Sequence, residues 1–76
     1  MRVYLNAEKL TDRKEAHEYI ARMLDFPEYY GKNLDALHDC LTDIPDLTLV
    51  ILNPESGGYF EKMLPVLEAS CKVVLK

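Results

Sequence analysis

Glycine is scarce in this chain, three residues in all, and the only adjacent pair, Gly57-Gly58, lacks the flanking pattern of a phosphate-binding loop. That removes the nucleotide-binding classes built on such a loop. Cysteine is equally thin: Cys40 and Cys71 are too few for the disulfide framework of a small secreted domain. Both are expected as buried thiols in a reducing compartment, although a Cys40–Cys71 bridge stays open at this point. With His17 and His38 they offer four zinc ligands, at spacings that match no finger or knuckle, so neither a metal nor any other cofactor is expected. No run approaches the roughly 18 apolar residues of a membrane-spanning helix. Behind Met1-Arg2-Val3-Tyr4-Leu5 come Asn6 and Glu8, where an export signal needs an apolar stretch, which predicts a cytoplasmic protein. Cations are also in short supply. Nine Lys and Arg stand against 13 Asp and Glu, for a net charge of −4. Direct nucleic-acid binding wants a basic footprint and is not expected. Repeats, low-complexity tracts and linkers are absent.

What is present is a hydrophobic content of 49%, ample for a globular fold. The 76 residues predict a single domain over 1–76, with a small core, since so short a chain buries only about 60% of its unfolded surface. Val3-Tyr4-Leu5 reads as a short strand, followed by a polar turn at Asn6-Ala7-Glu8-Lys9. Thr11 or Asp12 caps a first helix, with Asp12 and Glu15 at capping-box spacing. Ala16, Tyr19, Ile20 and Met23 form its apolar stripe, and Pro27 ends it. Asn33 is a candidate N-cap for a second helix, which Pro45 stops. Leu47 to Leu52 is almost continuously apolar, as in a strand covered on both faces or one within a parallel sheet. After the turn-rich Asn53 to Gly58 comes a helical stretch, Tyr59 to Ser70, with Phe60, Met63, Leu64 and Leu67 on one side. Pro65 interrupts it, either by a kink or by starting a new short helix. Lys72 to Leu75 is the last strand. The order β-α-α-β-α-β predicts an α/β fold with a small parallel sheet of three strands packed with helices. A monomer is expected, because this reading leaves no apolar surface stripe.

The most informative stretch is Phe26 to Leu41. At about 100° per residue, Leu34, Leu37, Cys40, Leu41 and Ile44 share one arc of the second helix, and Asp35, Asp39 and Asp43 the opposite arc. Three carboxylates at i, i+4, i+8 repel by roughly 0.2–0.5 kcal/mol per pair. The helix dipole offsets this at Asp35 and not at Asp43. A pattern that fold stability alone does not favour points to a cationic partner. Tyr29 supplies ring area and a hydroxyl for an interface, the aspartates suit guanidinium groups, and Gly31 permits a special conformation or a close approach. Whether Tyr30 packs inward or joins Tyr29 outside is open. Catalysis is not expected: Cys40 points to the core arc and Asp39 away from it, and neighbouring carboxylates raise a thiol pKa.

Pro27-Glu28-Tyr29-Tyr30-Gly31, Asn33-Leu34-Asp35-Ala36-Leu37 and Asp39-Cys40-Leu41-Thr42 together resemble the barstar family, small intracellular inhibitors of secreted barnase-type ribonucleases. The resemblance implies a barstar-like fold and a role as a plug for a ribonuclease cleft. Asp39 matches the acid that enters the phosphate-binding centre, and Asp35 a second acid that pairs with a cleft arginine. Tyr29 matches an aromatic that packs on the catalytic histidine, and Gly31 and Asn33 match contacting loop residues. Leu34, His38 and Thr42 complete the implied partner-binding set. The implied partner is a basic extracellular ribonuclease or a related nuclease toxin; the alternative is a non-inhibitory interaction module, or an immunity protein for another basic toxin. This chain departs from the family in three places. His38 stands where the family has tryptophan, with less apolar contact area. Asp43-Ile44 replaces glycine-tryptophan. Pro65 falls where the family has a binding glutamate on the last helix, a role left to Glu61 or Glu68.

Overall fold

Each apolar strand is separated from the next by helix, so the strands can pair only in parallel, through crossovers. The computed structural model describes residues 1–76. Its elements are β1 (Arg2–Asn6), α1 (Arg13–Leu24), α2 (Leu34–Thr42), β2 (Thr48–Leu52), α3 (Phe60–Ser70) and β3 (Lys72–Leu75), with short 3-10 helices at Ala7–Leu10 and Pro54–Ser56. The sheet is parallel throughout, ordered β1-β2-β3, with Val3 opposite Leu49 and Leu49 opposite Val73. This is the expected α/β class and element order. Both crossovers advance in one direction, and right-handed connections then place their helices on the same face. Val3, Leu5, Leu49, Ile51 and Val73 accordingly join the core with Leu10, Ile20, Leu37, Leu41, Phe60, Met63 and Leu67.

The alternate residues Tyr4, Val50 and Val74 form a row on the other face, outside that core. β2 is therefore apolar throughout because it is central in a parallel sheet, not because helices cover both its faces. Val50 is only 2% exposed although it lies outside the core cluster, flanked in register by Tyr4 and Val74. The outer face overturns the expectation that no apolar surface is left over.

Local chemistry sets the helix boundaries. Asp12 caps α1, accepting from the Glu15 N–H at 2.9 Å. Asp25 ends it in the left-handed region at φ 55°, a conformation that aspartate tolerates better than most residues. The buried face of α1 is Ala16, His17, Ile20 and Leu24; Met23, expected inside, is exposed. Ala16, Ile20 and Leu24 stack at i, i+4, i+8, which rotates the stripe away from Met23 and takes His17 into the interior. Tyr19 is half-buried and its hydroxyl accepts from the Asn6 N–H at 3.0 Å, fastening the end of β1. α3 runs unbroken through Pro65, so no new helix starts there. Proline removes one i→i−4 bond, and Pro65 lies at the exposed surface.

Gly58 shows the tightest backbone approach. Its φ is 67°, and a Cβ there would lie 2.6 Å from the Thr11 carbonyl oxygen, which already accepts from the Tyr59 N–H at 2.9 Å. Gly58→Ala is expected to cost about 1–3 kcal/mol, from a strained backbone and a clash that only main-chain movement relieves. Urea denaturation checks this. Gly31→Ala should cost less, because the nearest atoms, Asn33 Nδ2 at 3.3 Å and Ala36 Cβ at 3.4 Å, belong to side chains.

Candidate protein-binding site

The segment between α1 and α2 carries two adjacent tyrosines that point opposite ways. Tyr29 is 88% exposed, whereas Tyr30 is buried. Tyr30 turns inward through a bend closed by its own N–H donating to the Pro27 carbonyl at 3.0 Å. Its ring packs on Phe26 at 4.9 Å between centroids. Its hydroxyl lies 2.6 Å from His17 Nδ1, and the Tyr59 hydroxyl lies 2.9 Å from His17 Nε2. A neutral imidazole has one N–H and one acceptor nitrogen, so one tyrosine accepts from the ring and the other donates to it. This buried chain joins α1, the loop and the residue before α3.

Burial lowers the His17 pKa from its ordinary value, with the Arg13 charge adding to the effect. Burial raises that of the Tyr30 hydroxyl, helped by Cys40 and Tyr59. Sequence reasoning missed both His17 and Tyr59 as determinants of the loop. The signal was available in the spacing of His17 to Ile20 and Leu24, i, i+3, i+7, which puts the imidazole on the core side of α1.

Asn33 then starts α2. Its Oδ1 accepts from the Ala36 N–H at 2.8 Å, and its Nδ2 donates to the Gly31 carbonyl at 3.3 Å. Asn33 is thus the N-cap expected, with its amide committed within the chain. Gly31 does not adopt positive φ; Lys32 does, at 53°. The special backbone conformation expected at Gly31 is therefore carried by its neighbour Lys32. Lys32 also makes the one ion pair of the molecule, with Glu18 at 3.7 Å.

Leu37 and Leu41 are buried, with Leu34, Cys40 and Ile44 half-buried against the core, as the arc predicts. Asp35, Asp39 and Asp43 are exposed, and none is in an ion pair. Burial, followed by Asp43 and then Asp39, raises the Cys40 thiol pKa, and burial alone raises that of Cys71. Both thiols are free and only half-buried. The Thr42 hydroxyl donates to the Asp39 carbonyl at 3.0 Å.

Two grooves flank the acidic face, and Asp39 lines both. The first runs between Tyr29 and Pro27 on the loop side and Asp39, Cys40, Asp43 and Ile44 on α2. The second lies between α2 and α3, with Leu34, Asp35, His38 and Asp39 facing Pro65, Val66 and Ala69. Neither Glu61 nor Glu68 lines it; Pro65 does. His38 is anchored across this groove. The Ser70 hydroxyl donates to the Val66 carbonyl at 2.6 Å, so its oxygen accepts from His38 Nδ1–H at 2.7 Å. Ser70 is a second residue that the sequence did not single out.

A family model described as Barstar (barnase inhibitor) matches residues 1–73. The chain belongs to the barstar family. It is also 48% identical over 60 residues to a Bacillus subtilis (strain 168) protein named "Putative ribonuclease inhibitor YrdF". That alignment covers 68% of this chain and 65% of the relative, so the chain spans just under two thirds of the curated relative's length. In this barstar family member the Tyr loop is tied to α1 through Tyr30 and His17, and to α2 through Asn33. No helix is long and apolar enough to cross a membrane.

The His17 bridge generates a pH prediction. Burial in the fold lowers the pKa of the ring, while the unfolded chain takes up a proton near the ordinary value of 6.5. The unfolded state therefore binds more protons below that pH, and stability falls as pH falls, by up to about 1.4 kcal/mol per pH unit for one group. His17→Gln keeps a donor and an acceptor without the titration. Denaturation from pH 7 to 5 should show a smaller loss of stability for His17→Gln than for the parent. Equal slopes would remove His17 as the cause.

Proposed function

We propose that this chain is a proteinaceous inhibitor that blocks the cleft of a basic, barnase-like ribonuclease or related nuclease toxin. It acts as one domain over residues 1–76, in the cytoplasm, as a monomer bound to one enzyme, with no cofactor and no chemical step of its own. Tyr29, Gly31, Asn33, Leu34, Asp35, His38, Asp39 and Thr42 form the contact surface. The observation that carries the reading is the placement of Asp35 and Asp39, exposed and unpaired, on the α2 face beside the fully presented ring of Tyr29. Carboxylates so displayed stand in for the phosphates of RNA. They suit the arginine and lysine side chains that a ribonuclease needs for its substrate. The family match and the printed name of the Bacillus subtilis relative support the same reading.

Energetically, the face gains little within the monomer and has much to gain from a partner. Mutual repulsion among Asp35, Asp39 and Asp43 is relieved when a cationic surface arrives. Opposed fields also speed encounter in a salt-dependent way. Asp39 lies between the two grooves, so a basic side chain entering either one meets it. The groove between α2 and α3 has an apolar wall at Pro65, Val66 and Ala69 where the family carries a carboxylate. A partner side chain there meets one wall of charge and one of hydrocarbon, which suits an arginine with its stem against α3.

Titration of the chain into a barnase-type ribonuclease, read by RNA cleavage at low and moderate salt, tests this. Stoichiometric inhibition that weakens with salt is expected. Asp35→Ala/Asp39→Ala should weaken it by about 100-fold or more, about 2.8 kcal/mol, with a melting temperature no lower than the parent's, since carboxylate repulsion along α2 is removed. Inhibition unaffected by that substitution would overturn the assignment. Absence of inhibition by the folded parent would shift the reading to an interaction module for another basic protein.

A further inference from the structure

The face of the sheet away from the helices carries a chemistry opposite to that of α2. Arg2, Thr48 and Lys72 form one row across the three strands, and Tyr4, Val50 and Val74 the next. Asn6 and Leu52 continue the series, and Lys76 extends β3 through its N–H to the Ile51 carbonyl at 2.9 Å. Among these residues are three cations and no acid, in a chain whose net charge is −4. The apolar centre is partly open, with Tyr4 50% and Leu52 37% exposed.

Parallel sheets are ordinarily covered on both faces, because their central strands are apolar on both sides. Here one layer is missing. We propose that the outer face is a docking surface for an acidic amphipathic helix of a partner protein, one whose apolar stripe is bordered by carboxylates. Three strands spaced by about 4.8 Å make a platform about 10 Å wide, close to the diameter of one helix with its side chains. Leucine-type residues would cover Tyr4, Leu52 and Val74 around the already buried Val50, and the flanking acids would reach Arg2, Lys72 and Lys76. A second copy packed sheet to sheet would bring those cations against their own equivalents, which like-charge repulsion disfavours. A phosphate-rich ligand fits less well, since the middle of the face is aliphatic with a single aromatic ring, whereas single-stranded nucleic acid stacks on several. The surface is separate from the acidic face of α2, so a ribonuclease and this partner can be held together.

The test uses the full chain, labelled with 15N, and a synthetic helical peptide of about 18 residues, roughly five turns. The peptide carries Leu at i, i+3, i+4, i+7 spacing flanked by Glu; a second peptide has Lys in place of each Glu. Amide shifts centred on Tyr4, Val50 and Val74 with the Glu peptide alone are expected, with binding weakened about tenfold by Arg2→Glu/Lys72→Glu. Tyr4→Ser provides a second variant that should also weaken binding. Asp35→Ala/Asp39→Ala should leave it unchanged, so the result is independent of the inhibitor reading. Equal shifts of the sheet amides by both peptides, shifts centred on α2 with the Glu peptide, or no shifts with the Glu peptide would overturn the proposal. So would stronger shifts of the same amides by an RNA oligonucleotide, by phosphatidylglycerol vesicles, or by self-association on raising protein concentration.

Discussion

The bridge from Tyr30 through His17 to Tyr59 is the interaction on which the candidate site depends. An imidazole that is 1% exposed has to satisfy both ring nitrogens inside the protein. It does so with two hydroxyls from different parts of the chain, one in the loop after α1 and one at the entry to α3. A loop without regular structure would otherwise be free to choose among many conformations. With Tyr30 fixed at its inner end and Asn33 binding Gly31 and Ala36 at its outer end, only a short arc remains. Tyr29 immediately precedes that arc, next to the anchored Tyr30. Its exposure is therefore imposed from within: the inward turn of one tyrosine drives the other out.

The same division of roles appears along α2. One arc supplies Leu37 and Leu41 to the core, and the other presents carboxylates that no cation of the chain neutralises. His38, between the two acids, is drawn toward α3 by Ser70, so its ring becomes part of a groove wall. The aspartates are thereby left as the foremost charged groups on that side. A surface arranged this way is costly for an isolated molecule and well suited to one that meets an oppositely charged cleft.

Much of this was legible in the sequence because it rests on short-range rules. Helical periodicity separated Leu37 and Leu41 from Asp35, Asp39 and Asp43. The capping chemistry of Asp12 and Asn33 placed two helix starts, and proline marked where α1 and α2 give out. What escaped depends on contacts distant along the chain. His17 reads as a polar helix residue until Tyr30 and Tyr59 come to meet it, 13 and 42 positions away. Pro65 looks like a break until its position on the outer surface of α3 is known. Gly31 and Lys32 exchange roles, since residue type alone does not tell which member of a loop carries positive φ. The uncovered sheet face was invisible for a related reason: whether an apolar strand is covered on one side or two is decided by the hand of the crossovers.

The strand register carries a further consequence, for how the molecule comes into being. Arg2 pairs with Thr48, and Asn6 with Leu52. β1 leaves the ribosome ahead of the other strands and helices described here, and it has no strand to lie against until β2 has followed. Helices α1 and α2, built on local contacts, can form during that interval, whereas the sheet cannot. β2 is the only strand that pairs on both sides, so its arrival completes the first ladder and opens the second. Folding of such a topology is governed by loop closure across dozens of residues, and so is slower than in a helical bundle of similar size. Until β2 is in place, the His17 bridge also lacks Tyr59. The carboxylate face is therefore held in its final setting only late in synthesis, after the helix that bears it has already emerged.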